Sequence, residues 1–289
     1  MTTEQTLANS LGIELAIKQI PIGAHKINYL VAGKGEPLLL IHGANFGWGV
    51  WYPNIPELAK HFTVYAIDLP GAGHSSTIDY GKLDVTRDFV EITKEFIQRQ
   101  DLRDLAILGH SIGGFVALKV TLEQSQSIKN VILVDSTGFS SKINFFEFLL
   151  SLSPLTKVLS KSILKPTRDN KKLEKFLRSG FSDKKIILKT EFIDYFYEIQ
   201  QTSHNLLLVS KLLQLRNELL LNGELANIKK NVLIIWGSKD PIMPLKRNRE
   251  YLNLLPNARI EIFHNTGHIP FIENAEKFNT SVIQFLLSN

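Results

Sequence analysis

A serine framed by glycines, Gly109-His110-Ser111-Ile112-Gly113, follows the apolar run Leu105 to Leu108 and precedes Gly114-Phe115-Val116-Ala117-Leu118. The pattern sets Ser111 on a sharp corner between a buried strand and a helix, where a hydroxyl can stand clear of the sheet as a nucleophile. Such a corner strains the backbone, and the residues two before and two after must be small or their side chains collide across the turn. Gly109 and Gly113 meet that demand. A helix starting near Ile112 would aim unpaired N–H groups and its positive dipole end at an oxyanion formed there.

Acyl transfer by a serine needs a base within hydrogen-bond reach, and the base needs a carboxylate to orient it. Two loops offer these groups. Gly237-Ser238-Lys239-Asp240-Pro241 follows the run Val232 to Trp236, and His264-Asn265-Thr266-Gly267-His268 follows Ile260 to Phe263. Both loops leave the carboxyl ends of predicted strands, the edge at which open parallel sheets bind ligands. His268 is the candidate base, with His264 read as structural because it lies closer to the strand. Asp240 is the candidate acid, and Asp135, at the end of the run Val131 to Val134, is the second choice. His42 and His110 are expected to brace the loops beside them, and Asp68 and His74 to hold a turn together.

The elements that must carry these groups follow from apolar periodicity. Short apolar runs at Pro37 to Ile41, Thr63 to Ile67, Leu105 to Leu108, Val131 to Val134, Val232 to Trp236 and Ile260 to Phe263 alternate with longer helical patterns, which predicts a mostly parallel sheet. Ile13 to Ile20 and Lys26 to Val31 read as an antiparallel opening hairpin, making eight strands. Helices are predicted at Pro53 to Lys60, Val85 to Arg99, Ile112 to Glu123, Arg247 to Leu254 and Ala275 to Leu287. The rhythm breaks over 139–223, a helix-compatible and aromatic-rich stretch read as a helical cap inserted into a core domain formed by 1–138 and 224–289.

The chain of 289 residues is 44% hydrophobic and 21% charged, enough for one large core, and it has no cysteine, which removes thiolate nucleophiles, disulfides and cysteine-held zinc. The polar stretch Met1 to Ser10 lacks the pattern of a signal peptide, and no run of about 18 apolar residues spans a membrane, so a cytoplasmic location is expected. The net charge of +5 comes with no nucleic-acid reading module. Its basic crowding between Lys157 and Arg178 reads as a solvated face, and docking of Phe145 to Lys172 on lipid is the weaker alternative. The partner expected is a small-molecule substrate, with no nucleic acid; no spacing asks for a metal or cofactor.

In their order along the chain, Leu39-Leu40-Ile41-His42-Gly43, Asp68-Leu69-Pro70-Gly71-Ala72-Gly73-His74-Ser75, Gly109-His110-Ser111-Ile112-Gly113-Gly114, Gly237-Ser238-Lys239-Asp240 and Gly267-His268-Ile269-Pro270 resemble the capped, serine-nucleophile branch of the α/β-hydrolase fold superfamily. The resemblance spans nearly the whole chain except the cap. It implies Ser111 as nucleophile, His268 as base and then acid, Asp240 as its orienting partner, and the backbone N–H groups of Ala44 and Ile112 as the oxyanion hole. Phe46, Trp48, His110 and Ile269 are the expected pocket residues. Trp51 is placed between pocket and core.

A serine at the elbow suits esters and related acyl compounds, whereas relatives that open epoxides or displace halide place an aspartate there. The implied activity is hydrolysis of a small to medium apolar ester through an acyl-enzyme. Carbon–carbon bond hydrolysis of the meta-cleavage type is the alternative, although such enzymes usually carry tryptophan after the histidine and asparagine before the serine, where this chain has Ile269 and His110. A ligand receptor on the same scaffold is a further alternative.

Overall fold

The computed structural model describes residues 1–140, 170–202, 205–221 and 223–288. Eight strands form one sheet in the order β1-β2-β4-β3-β5-β6-β7-β8. These are β1 (Leu15–Ile22), β2 (His25–Ala32), β3 (Pro37–Ile41), β4 (Thr63–Ile67), β5 (Leu105–His110), β6 (Ile128–Val134), β7 (Asn231–Gly237) and β8 (Ala258–Phe263). β1 with β2 and β2 with β4 pair antiparallel, and every other neighbour pair is parallel. The opening hairpin and six following strands therefore stand where the periodicity put them.

The central strands are continuous apolar runs because both faces are covered. In β3, β6 and β7 the alternate residues Leu39, Ile41, Val131, Leu133, Val232 and Ile234 enter one core, while Leu38, Leu40, Ile132, Val134, Leu233 and Ile235 enter the other. The first core is closed by α3 (Ile92–Arg99) and α4 (Ile112–Glu123), and the second by α10 (Ala275–Leu287) through Phe278, Val282 and Phe285. A buried aliphatic or aromatic side chain contributes roughly 1.5–3 kcal/mol of transfer free energy, so these two layers fix the sheet that carries the loops.

Two differences from the periodicity are physical. The predicted helix Val85 to Arg99 is wound as a π-helix over Thr86–Glu91 before α3 begins. The N-terminus is not a polar tail but α1 (Thr3–Asn9), capped by the Thr2 hydroxyl accepting from the Gln5 N–H, with Glu4, Leu7 and Ala8 buried. Between β6 and β7 the described residues form α5 (Asn170–Ser179), α6 (Thr190–Thr202) and α7 (Asn205–Gln214). Leu177, Phe181, Phe192, Tyr195 and Phe196 from this stretch are buried in the second core. The aromatic run Phe145 to Leu150 and most of the basic stretch ending at Lys172 lie outside the described residues. Two short helices, α2 (Ile55–Leu58) and α9 (Pro270–Glu273), and α8 (Leu245–Leu252) complete the frame.

Candidate active site

Ser111 sits between β5 and α4 with φ 52° and ψ −120°. Positive φ in a residue with a Cβ is held only by surrounding structure, and here the holding groups are backbone. The Ser111 N–H donates to Val134 O at 3.0 Å, and its carbonyl accepts from Gly114 N at 2.9 Å and Thr137 N at 3.1 Å. A Cβ on Gly109 would collide with the carbonyl of Gly113, and one on Gly113 with the carbonyl oxygens of Ile41 and His42. The glycine frame is thus a packing requirement between β5, α4 and β3.

The loops after β7 and β8 bring Asp240 and His268 together. His268 Nδ1 lies 2.7 Å from Asp240 Oδ2, and both side chains are buried. The other carboxylate oxygen of Asp240 accepts from the Ile242 and Met243 N–H groups at 2.7 and 2.8 Å. Burial opposes the charge of Asp240, but His268 and these donors hold its carboxyl below the usual range. An acceptor on Nδ1 fixes the tautomer with the proton there and leaves Nε2 as a base. Asp135, wholly buried at φ 42°, accepts from Gly237 N at 2.9 Å, and burial together with the charge of Asp240 pushes its carboxyl well up.

The remaining histidines divide by environment. His42 accepts the Leu69 N–H on Nε2 at 3.0 Å and donates from Nδ1 to Gly43 O at 2.6 Å; burial pushes its pKa down to about 4. It braces the loop holding Ala44. His110 pairs through Nε2 with the His268 carbonyl at 2.8 Å, and burial keeps it neutral by pushing its pKa well down. His264 is exposed on the turn after β8. Asp68 accepts from the N–H groups of Trp48 and His74 and from Asn28 Nδ2, so its turn is held as the sequence suggested.

Ser111, His268, Ala44, Ile112, Phe46, His110 and Ile269 all border one cavity of about 510 Å³. Its walls are mainly apolar, with Leu177 and Phe196 from α5 and α6, Val209 and Leu212 from α7, and Pro241 to Pro244 after Asp240. Arg216 and Arg247 are the cationic groups of the described wall. Trp48 does not reach it: its ring is buried against Tyr195, and its Nε1–H donates to Glu4 Oε1 at 2.7 Å. Glu4 lies on α1, which the sequence did not predict, and a buried carboxylate there draws the indole away from the site. Trp51 is core, 4.2 Å between ring centroids from Phe271.

Several supporting residues carry no motif. Glu273 accepts from the Gly267 N–H at 2.7 Å and the Ser182 N–H at 2.8 Å, while the His268 N–H donates to Gly180 O at 2.8 Å. The histidine loop is thereby tied to the segment between α5 and α6. Gln200 on α6 donates to Asn45 O at 2.7 Å beside Ala44. Among the described residues, two clusters place ligand-type atoms within 4.8 Å of one another: Asp135, Asp240 and His268, and Glu4, Asp68 and His74. Both carboxylate oxygens of Asp240 and of Asp68, and Oε1 of Glu4, already accept N–H donors.

The chain is 26% identical over 263 residues to a pimeloyl-[acyl-carrier protein] methyl ester esterase of Aliivibrio fischeri, covering 88% of this chain and 95% of that one. It is also 26% identical to a 2-hydroxy-6-oxononadienedioate/2-hydroxy-6-oxononatrienedioate hydrolase of Comamonas testosteroni, over 94% of this chain and 95% of that one. Among solved structures, a putative lipase from Acinetobacter baumannii AYE superposes with a TM-score of 0.80 at 24% identity, covering 100% and 96% of the two chains. The family model of the alpha/beta hydrolase fold matches residues 36–275, and this chain belongs to that family.

Proposed function

We propose that this hydrolase cleaves small to medium apolar esters or related acyl compounds with Ser111 as nucleophile, His268 as base and Asp240 as the group that orients it. The observation that carries the reading is the strained Ser111 and the buried His268–Asp240 pair bordering one apolar cavity. Residues 139–223 act in this reading as the cap over a core of 1–138 and 224–289, and the partner is a small molecule.

The chemistry balances on groups of this chain. Ser111 Oγ attacks the ester carbonyl carbon as its proton passes to His268 Nε2, and Asp240 stabilises the imidazolium through Nδ1–H. The N–H groups of Ala44 and Ile112 receive the tetrahedral oxyanion; one such donor is worth about 3 kcal/mol of transition-state stabilisation. Collapse breaks the C–O bond, the alcohol leaves with the proton from His268, and water activated by the same ring hydrolyses the acyl-serine. His110, neutral and bonded to the His268 carbonyl, holds the loop without competing for the proton.

The Aliivibrio relative's name favours an ester. The Comamonas relative supports carbon–carbon bond hydrolysis as the second reading, in which the same serine attacks a ketone. Parallel assays of a p-nitrophenyl ester and a vinylogous 1,5-diketo acid, each with wild type and Ser111→Ala, separate the two. Serine-dependent turnover of the ester alone supports the first reading, and of the diketo acid alone the second.

A further inference from the structure

Asp135 is a second carboxyl at the triad's acid position that the proposed chemistry does not use. Its side chain is wholly buried at the end of β6. Oδ1 accepts the Gly237 N–H, while Oδ2 is buried without a hydrogen-bond partner among the described atoms. Carboxyl oxygens of Asp135 and Asp240 and a ring nitrogen of His268 lie within 4.8 Å of one another. Two buried carboxylates this close disfavour each other's charge, and a proton kept on one lowers that cost.

The hydrogen bonds decide which. Asp240 accepts from His268, Ile242 and Met243, three N–H donors that all favour its charged form. Asp135 accepts one. Among the described residues, the other titratable groups facing the pair are His268, on the loop after β8, and Glu273 on α9, whose negative charge further disfavours a charge on Asp135. We propose that Asp135 is a neutral carboxylic acid whose Oδ2 proton is held on Asp240, making it a positioning residue for the Asp240–His268 pair. This rests on the reading of Asp240 as the orienting acid. A protonated Asp135 also accounts for the orphaned Oδ2 atom, and the positive φ of Asp135 is the backbone cost of aiming its side chain there.

Asparagine reproduces the arrangement, with Oδ1 accepting from Gly237 and Nδ2 donating to Asp240, whereas leucine keeps the volume and removes the donor. The direct readout is carboxyl ¹³C NMR of aspartate-labelled protein, with the resonance assigned by its loss in Asp135→Asn. The Asp135 carboxyl is expected at its protonated position at pH 7; an ionised position there overturns the inference. The functional readout is the pH profile of ester hydrolysis. Asp135→Asn is expected to keep kcat/KM within about threefold and the acid limb unmoved. Asp135→Leu is expected to lose about 10-fold or more, with the limb displaced to higher pH, because an Asp240 stripped of a donor holds a proton on the pair more strongly. An acid limb moved to lower pH in Asp135→Asn would mean that a negative charge had been removed, and would overturn the proposal. So would a loss of orders of magnitude in that variant, or an unmoved limb in both. If Asp135→Leu does not fold, the resonance and the asparagine profile still decide. A neutral Asp135 without Ser111-dependent hydrolysis defeats the proposed function alone, and an ionised Asp135 with that hydrolysis intact defeats this inference alone.

Discussion

Ser111 pays for its geometry with a backbone conformation that costs an ordinary residue about 1–3 kcal/mol, and the surrounding glycines make it possible. Replacing Gly109 by alanine drives a methyl group into the backbone of Gly113 and Gly114, which no rotamer relieves. We expect Gly109→Ala to destabilise the fold by at least about 2 kcal/mol and to lower kcat/KM about 100-fold or more, read by denaturant unfolding beside ester kinetics; wild-type values in both would refute the packing argument. Asp240→Asn places an amide opposite His268 Nδ1 and favours the wrong tautomer, so kcat should fall by about 10³–10⁴ with little change in unfolding free energy. A mild loss there would move the role to Asp135. The serine corner was legible in sequence because its glycine demand is local. Asp240 was ranked ahead of Asp135 from sequence, but the neutral role proposed for Asp135 was not legible, since it depends on which carboxylate collects N–H donors from distant loops, and Trp48 was misplaced because its partner Glu4 lies 44 residues away.

At the scale of elements, His74 joins three parts of the chain. Its Nε2 is 2.9 Å from Glu198 on α6, its Nδ1 is 3.3 Å from Glu4 on α1, and the Thr3 hydroxyl donates to Glu198 as well. Burial opposes the charge on His74, but the two carboxylates hold its pKa up at about 9. The folded value exceeds the unfolded value of about 6.5, so this contribution is complete below about 6.5 and is lost as pH rises through 9. Asp68, which burial pushes up to about 6, is already ionised across that window and adds no slope. Unfolding free energy should therefore fall between about pH 7 and pH 10, and His74→Gln should flatten that decline; an equally steep decline in the variant would show that another group is responsible. α1 escaped sequence reading because seven residues with two buried apolar side chains give too little periodicity, whereas the short apolar runs of β3 to β7 recur between helical patterns along the chain.

The whole molecule sets an apolar cavity of about 510 Å³ against the carboxyl edge of a parallel sheet. The eight strands and their mostly parallel pairing were readable because alternating runs are a chain-wide signal. The cavity's outline was not, because it depends on how α5, α6 and α7 lean over the serine. Among the described residues no helix is long and apolar enough to cross a membrane. An apolar volume of this size should favour acyl chains of intermediate length, since each added methylene gains about 0.8 kcal/mol of burial only while it fits. kcat/KM should therefore rise with chain length and then fall, and Phe196→Ala should move the optimum to longer chains; an optimum unmoved by that change would place the acyl group elsewhere. The central claim is tested most directly by hydrolysis of a p-nitrophenyl ester series of rising acyl length, comparing wild type with Ser111→Ala. The account predicts length-dependent turnover that the alanine variant loses by at least about 10³-fold, and turnover equal in the two proteins would contradict it.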